Sequence, residues 1–350
     1  MKILIVAYPW PGGTPALCAK AFREMGHQVE MLSPPAGVES WLRQRWLPSQ
    51  ITWFVPAANQ LNKLVWSEFN RKIASSVRSF KPDIYFTLNE AFTLPETIAF
   101  IRNEIKCPTI CWVADFPFDS RRFTCFPVNL QHFTHIFVGE PLWIPLIRRV
   151  ANPLVLEVMH GAADPDVFRP MEIPESLQQK FFSQVAFIGD GYGGLAEGLY
   201  RGRILEAVVD LGLKIWGPGR WDRYYQYFPK LKQADQGEAT TLEQTNIVNQ
   251  LASIMLNIPN PQCLTAMQQR TFEIAASRGF QVADCRTEID KLFPDGEIVQ
   301  FSSCEELREK IKYYLLHPDE RKNLAERARK IVLDKHTFRH RMETMLQCIG

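Results

Sequence analysis

The run Gly189-Asp-Gly191-Tyr192-Gly-Gly194 places four glycines in six residues, directly after the apolar stretch Val185-Ala-Phe-Ile188. With no Cβ in the way, glycines let backbone amides approach a phosphate closely. The spacing also satisfies the dinucleotide pattern GxGxxG. A nicotinamide site needs in addition an acid at the end of the next strand, to hold a ribose. Here that strand ends Leu213-Lys-Ile-Trp216-Gly217, without an acid, and the segment 195–200 is expected to delay the following helix. The glycines therefore read as a phosphate-facing turn, with an ordinary flexible turn as the alternative. A nicotinamide-dependent oxidoreductase is a disfavoured reading.

Arg270 and Glu273 stand three apart, so on a helix they share one face. Such a pair is either a surface salt bridge or, in a cleft, a division of labour: arginine on phosphate, glutamate on ribose hydroxyls. Spacing alone leaves both open. Groups that could act as a general base are Asp115, Asp119, Glu90 and His160. Asp115 follows the apolar run Thr109-Ile-Cys-Trp-Val113, and active sites of parallel sheets lie at such carboxyl ends. His160 opens a segment with two prolines and a glycine. Each of these residues could instead cap a helix or face solvent.

The elements that must carry these residues follow from the apolar pattern. Strands are expected over 2–7, 27–32, 83–88, 109–113 and 135–138, then over 184–188, 213–216, 254–258 and 280–283. Helices are expected over 14–25, 200–211, 269–277, 304–316 and 319–334. Strands alternating with helices at this spacing predict βαβ units and parallel sheets. The break at 160–170 divides the alternation into two successive α/β domains, which the length of 350 residues also favours.

Composition removes several classes. With 40 basic and 38 acidic residues, a net charge of +2 and no polybasic run, the chain is not read as a nucleic-acid binder. Eight scattered cysteines without a CxxC pair argue against a zinc ribbon or redox motif and for reduced thiols. The opening Met-Lys-Ile-Leu-Ile-Val reads as a first strand and not as a secretory signal. No apolar run reaches the roughly 18 residues of a membrane span, so a cytoplasmic protein is expected. The stretch Trp41-Leu-Arg-Gln-Arg-Trp46, with Trp53-Phe54, could touch a membrane surface or an acceptor. Packing on the first sheet is the favoured reading.

One series of residues in the second half carries a resemblance. It comprises Leu256-Asn257, Arg270-Thr-Phe272-Glu273, Gly279, Leu292-Phe293, Gly296-Glu297, Glu306-Leu307, Tyr313-Tyr-Leu-Leu-His-Pro318 and His336-Thr-Phe-Arg-His-Arg341. Phe187-Ile-Gly189, Arg203, Trp216-Gly217 and the linker Gly161-Ala-Ala-Asp164-Pro-Asp-Val-Phe168-Arg-Pro170 extend it upstream. In order and spacing the series resembles the C-terminal half of the spore-maturation CgeB-like glycosyltransferases. The first half matches more loosely, through Lys81-Pro-Asp83 and Ala114-Asp115-Phe-Pro-Phe-Asp119.

The resemblance implies an α/β fold of GT-B architecture, two Rossmann-like domains with a cleft between them. Residues 1–160 would bind the acceptor (a glycan, a protein or a small molecule) and 161–335 the nucleotide diphosphate sugar. Residues 336–350 would cross back to the first domain. Glu273 would hold the donor ribose, Arg270 would neutralise phosphate, and Gly189, Gly191 and Tyr192 would face the diphosphate. Arg203, Trp216, Gly217, Asn257 and Phe272 would complete the donor set, with no metal and no further cofactor. Asp115, His160 and Asp119 are the catalytic candidates. Many retaining enzymes of this fold carry a second glutamate eight positions before the first, where this chain has Thr265. The stereochemical course is therefore open, as is a non-catalytic nucleotide- or glycan-binding protein of the same fold.

Overall fold

In the computed structural model the described residues are 1–8, 12–34, 55–89, 93–118, 126–191, 195–217, 221–237 and 241–349. The tryptophan-rich stretch from Trp41 to Phe54 lies outside them. The chain forms two compact units, Met1–Met159 with Phe338–Gly350, and His160–Thr337.

The first unit holds six parallel strands, β1 (Lys2–Val6), β2 (Gln28–Leu32), β3 (Ile84–Leu88), β4 (Thr109–Val113), β5 (His135–Val138) and β6 (Val155–Val158), in the order β2-β1-β3-β4-β5-β6. β4 and β5 are buried along their whole length, as expected of central parallel strands covered on both faces. The helix Thr14–Glu24 buries Leu17, Cys18, Ala21 and Phe22 on one face. Gly26, at φ 83°, turns the chain into β2. The last helix, Phe338–Gln347, packs on Thr14–Glu24, and the Phe338 ring lies 6.5 Å from Trp112.

The second unit holds β7 (Ser183–Ile188), β8 (Leu213–Trp216), β9 (Ala252–Asn257), β10 (Gln281–Asp284) and β11 (Val299–Phe301), all parallel, in the order β11-β10-β9-β7-β8. Successive side chains of β7 feed two cores. Val185 and Phe187 join Leu205, Val208, Trp221 and Ile254, whereas Ala186 and Ile188 join Phe181, Trp216, Ile247 and Met255.

The structure corrects two expectations. The helix expected over 200–211 spans Leu195–Glu206, so it opens directly after the glycine run, and 209–211 is a separate 3-10 turn. Gly198 and Gly202 disguise its first turns. They are required not by a loop but by rings packed on them. A Cβ at Gly198 would stand 1.9 Å from Tyr224 Cζ, and one at Gly202 would stand 2.4 Å from Phe228 Cδ2. The second correction adds strands β6 and β11, which have four and three residues. Both lie at sheet edges, and β6 is only partly buried, so neither reads as an apolar run.

Candidate active site

The carboxyl edge of the second sheet gathers most of the polar residues singled out above. After β7 the chain turns at Gly189, whose N–H donates to Trp216 O at 2.9 Å. After β8 it turns at Gly217, where a Cβ would stand 2.4 Å from Gly189 O. The two loops therefore touch backbone to backbone, which only glycine allows at that distance. Trp221 Nε1 donates to the same Gly189 carbonyl at 3.1 Å. Arg201, 5 % exposed, ties the glycine run to the neighbouring strand. Its Nη1 donates to Asp190 O at 3.0 Å and its Nε to Ile258 O at 3.1 Å.

The helix Gln269–Ala276 follows β9 through a loop. Gln268 Oε1 accepts from Asn260 N at that loop, and Asn260 Oδ1 accepts from Gln262 N. Arg270 Nη1 lies 2.9 Å from Glu273 Oε2, and Gln269 Nε2 donates to Glu273 Oε1 at 2.7 Å. Glu273 is 6 % exposed. The spacing of three is thus an ion pair between a buried glutamate and an arginine whose side chain is 30 % exposed. Asn257, at the end of β9, donates to Thr271 Oγ1 and Gln281 Oε1, both at 2.8 Å, and Gln281 Nε2 donates to Thr271 O. This network of amides fixes the helix against β9 and β10.

A second buried charge group stands at the ends of β10 and the helix Thr287–Leu292. Arg286 Nη2 pairs with Asp284 Oδ2 at 2.9 Å, and its Nε donates to Cys263 O at 2.9 Å. Tyr200 Oη donates to the same Asp284 oxygen. Burial, with Asp284 beside it, pushes the Tyr200 phenol up. His160 Nε2 lies 3.3 Å from Glu288 Oε2, both side chains being 10 % exposed. A Cβ at Gly161 would stand 2.7 Å from Gln269 Cα, so the His160-Gly161 segment lies on the start of the helix that carries Arg270 and Glu273.

In the first unit, Asp115 sits half-buried beyond β4 and is held by Asn89. Asn89 Nδ2 donates to Asp115 Oδ2 at 2.9 Å. Its Oδ1 accepts from Ala114 N at 2.7 Å and Asp115 N at 3.1 Å. Asn89 adopts φ 47°, a left-handed conformation that asparagine tolerates better than most residues.

The structure thus brings Gly189, Gly191, Gly217, Asn257, Arg270 and Glu273 to one sheet edge and His160 to the start of the Arg270 helix. It does not bring Trp216, Phe272 or Arg203 to that group. The Trp216 indole is core, 5.1 Å from Phe181, and Phe272 is fully buried between Phe293 and His336. Both follow from alternation, which points alternate residues of a strand and one stripe of a helix inward. Arg203 is exposed on its helix, where Arg201 faces the site instead. Asp119, Tyr192 and Glu90 lie outside the described residues. Sequence reading missed Arg201, Arg286, Glu288 and Asn89. Only Asn89 left a signal, a turn-prone residue straight after a strand.

The helix start corrected above removes one objection to a dinucleotide site. The other stands, because β8 ends in Trp216-Gly217 with no acid.

Residues 201–347 match the family model described as glycosyl transferase-like. No curated protein matches the chain. Among solved structures, the chain is similar to sucrose-phosphate synthase from Thermosynechococcus elongatus, with 11% identity and a TM-score of 0.69 over 99% of this chain and 98% of that one. It is similar to HepE of Anabaena, solved with UDP-glucose, with 12% identity and a TM-score of 0.64 over 100% and 99%. The α,α-trehalose 6-phosphate synthase of Burkholderia multivorans gives 11% identity and a TM-score of 0.66 over 100% and 98%. At such identities the likeness shows the fold, an α/β chain with two parallel sheets as in GT-B glycosyltransferases. That is the fold class expected from the sequence, and the matched segment is of the expected glycosyltransferase class. Among the described residues no helix is long and apolar enough to cross a membrane.

Proposed function

We propose that this chain is a CgeB-like glycosyltransferase that moves a sugar from a nucleoside diphosphate donor to an acceptor. The observation that carries this reading is the pair of partly exposed Arg270 and buried Glu273 on a helix fixed by Asn257, inside the glycosyl transferase-like segment. The second unit takes the donor. Arg270 neutralises the charge that builds on the departing diphosphate, in place of a metal ion. Glu273 accepts hydrogen bonds from the ribose hydroxyls, and the glycine backbones after β7 and β8 admit the phosphates. The first unit takes the acceptor, and Asp115, oriented by Asn89, accepts its proton in an inverting transfer. His160, paired with Glu288, is the second candidate for that role. The UDP-glucose complex of HepE makes UDP the first nucleotide to try.

A thermal-shift screen against UDP, GDP, dTDP, CDP, ADP and NAD tests the donor site. A ligand at a hundred times its dissociation constant stabilises a fold by about 2.7 kcal/mol, which moves the midpoint by degrees. One nucleoside diphosphate should do so, and Glu273→Ala should abolish the shift. A response to NAD alone would overturn the reading.

A further inference from the structure

Two buried side chains take the two successive carbonyls of the glycine turn after β7. Trp221 Nε1 donates to Gly189 O at 3.1 Å, and Arg201 Nη1 donates to Asp190 O at 3.0 Å. The first belongs to the turn Trp221–Tyr224 after β8, the second to the helix Leu195–Glu206. Arg201 Nε also donates to Ile258 O at 3.1 Å, so one guanidinium joins the loops that follow β7 and β9. These strands are neighbours from which the chain leaves in opposite directions, to β8 and to β10. In parallel sheets the crevice outside the carboxyl ends of such a strand pair is where ligands bind.

Peptide geometry turns these two bonds into a direction. Among the described residues no peptide bond is cis, so each N–H points opposite the carbonyl of its own peptide. With Gly189 O and Asp190 O drawn onto Trp221 and Arg201, the N–H groups of Asp190 and Gly191 point away from those side chains. Successive backbone N–H groups aimed one way make a concave anion site. The N–H before them is already engaged, since Gly189 N donates to Trp216 O at 2.9 Å. The turn also rests on a fixed floor. A Cβ at Gly189 would stand 2.7 Å from Phe187 Cζ, and the Arg201 guanidinium lies 5.7 Å from the centre of that ring.

Net charge does not choose the ligand here. Asp190 and Glu197 stand in the same segment, and after burial their charges push the Tyr224 phenol up. Arg201 adds one buried positive charge among them. What singles out an anion with several oxygens is the set direction of two adjacent donors, because preorganised amides need no reorganisation when it binds. On the basis of the donor site proposed above, we propose that Arg201 and Trp221 are positioning residues for the diphosphate. They hold the amides of Asp190 and Gly191 toward its oxygens and do not touch it themselves.

The test is calorimetric titration of the full chain with UDP and, by displacement, with uridine. If the thermal-shift screen selects another base, its diphosphate and nucleoside take their place. Trp221→Phe keeps a ring in the core and removes the Nε1 donor. Arg201→Lys keeps the charge, but one ammonium does not reproduce the planar fork that reaches two carbonyls. Each variant should bind the diphosphate roughly tenfold more weakly, the order of one lost hydrogen bond. Each should bind the nucleoside as the parent does. A merely structural role would weaken both ligands together, and that outcome would overturn the proposal. Unchanged diphosphate affinity in either variant would overturn it as well. A parent chain that answers to no nucleoside diphosphate of the screen would overturn the donor reading itself, and this assignment with it.

Discussion

The two units bury polar groups on different terms. Among the described residues of the first unit, the buried polar side chains are neutral or imidazole, apart from Glu140, which caps a turn through Leu142 N. The second unit buries Asp164, Arg201, Glu273, Asp284, Arg286, Glu288 and Glu297. Burying charge costs several kcal/mol per ion before pairing offsets it. Arg201, Glu273, Asp284, Arg286 and Glu288 lie at the carboxyl ends of the strands or in the segments that follow them, whereas Glu297 precedes β11 and pairs with Arg327 at 2.8 Å. In the first unit the catalytic candidate Asp115 is half-buried and held by one asparagine. The candidate site and the scaffold therefore share residues in the second unit and are separable in the first.

Substitutions can break this contrast. The largest effect is expected from Asp115→Asn, which removes the proposed base yet keeps an oxygen for Asn89. Turnover should fall roughly 100- to 10,000-fold with an unchanged unfolding midpoint. If Asp115→Asn and His160→Ala both kept full turnover, the base assignment would be wrong. Arg286→Leu should do the reverse, acting first on stability. It removes the cation that pairs with buried Asp284, leaving it only the Tyr200 hydroxyl, and takes the donor from the Cys263 carbonyl, at a cost of about 3–5 kcal/mol measurable by urea unfolding. A loss below 1 kcal/mol, within the range of an exposed ion pair, would mean that Arg286 is no structural clamp.

Asn257→Ala leaves Thr271 and Gln281 short of a donor and should cost about 2 kcal/mol while weakening nucleotide binding. Full binding in that variant would separate the network from the proposed donor site. The smallest effect concerns an exposed pair in the same unit. Lys310, with Ser302, holds the Glu306 carboxyl down at about 2, below its ordinary 4.5. A depressed carboxyl stabilises the fold above its unfolded value and loses that contribution as pH falls from about 4.5 toward about 2. Because both side chains are about a third exposed to screening solvent, Lys310→Ala should cost only about 0.5 kcal/mol at neutral pH and less in acid.

Much of the scaffold was legible before any fold was known. The strands at 109–113, 135–138 and 213–216 have the bounds expected from the sequence, because each is a short, mostly apolar segment rich in β-branched and aromatic residues. Short edge strands β6 and β11 gave no such run. Gly198 and Gly202 concealed a helix start, since nothing local tells a glycine needed for a turn from one needed beneath an aromatic ring. In the site, the spacing of Arg270 and Glu273 was legible, but whether they met in solvent or in the interior was not. Arg201 and Arg203 are equivalent in the sequence, yet two positions along a helix turn a side chain to another face.

From its sequence alone this chain has its alternating strands and helices, its two α/β halves and the helix that joins Arg270 to Glu273. These are properties of neighbouring residues, set by backbone sterics and by the periodicity of apolar side chains. Only tertiary structure decided that Arg201 turns inward, that Trp216 and Phe272 are core, that Glu288 meets His160 and that Gly161 lies on Gln269. Those contacts join segments far apart in the chain. They form only where packing of the whole unit offsets the entropy of closing the long loops between them.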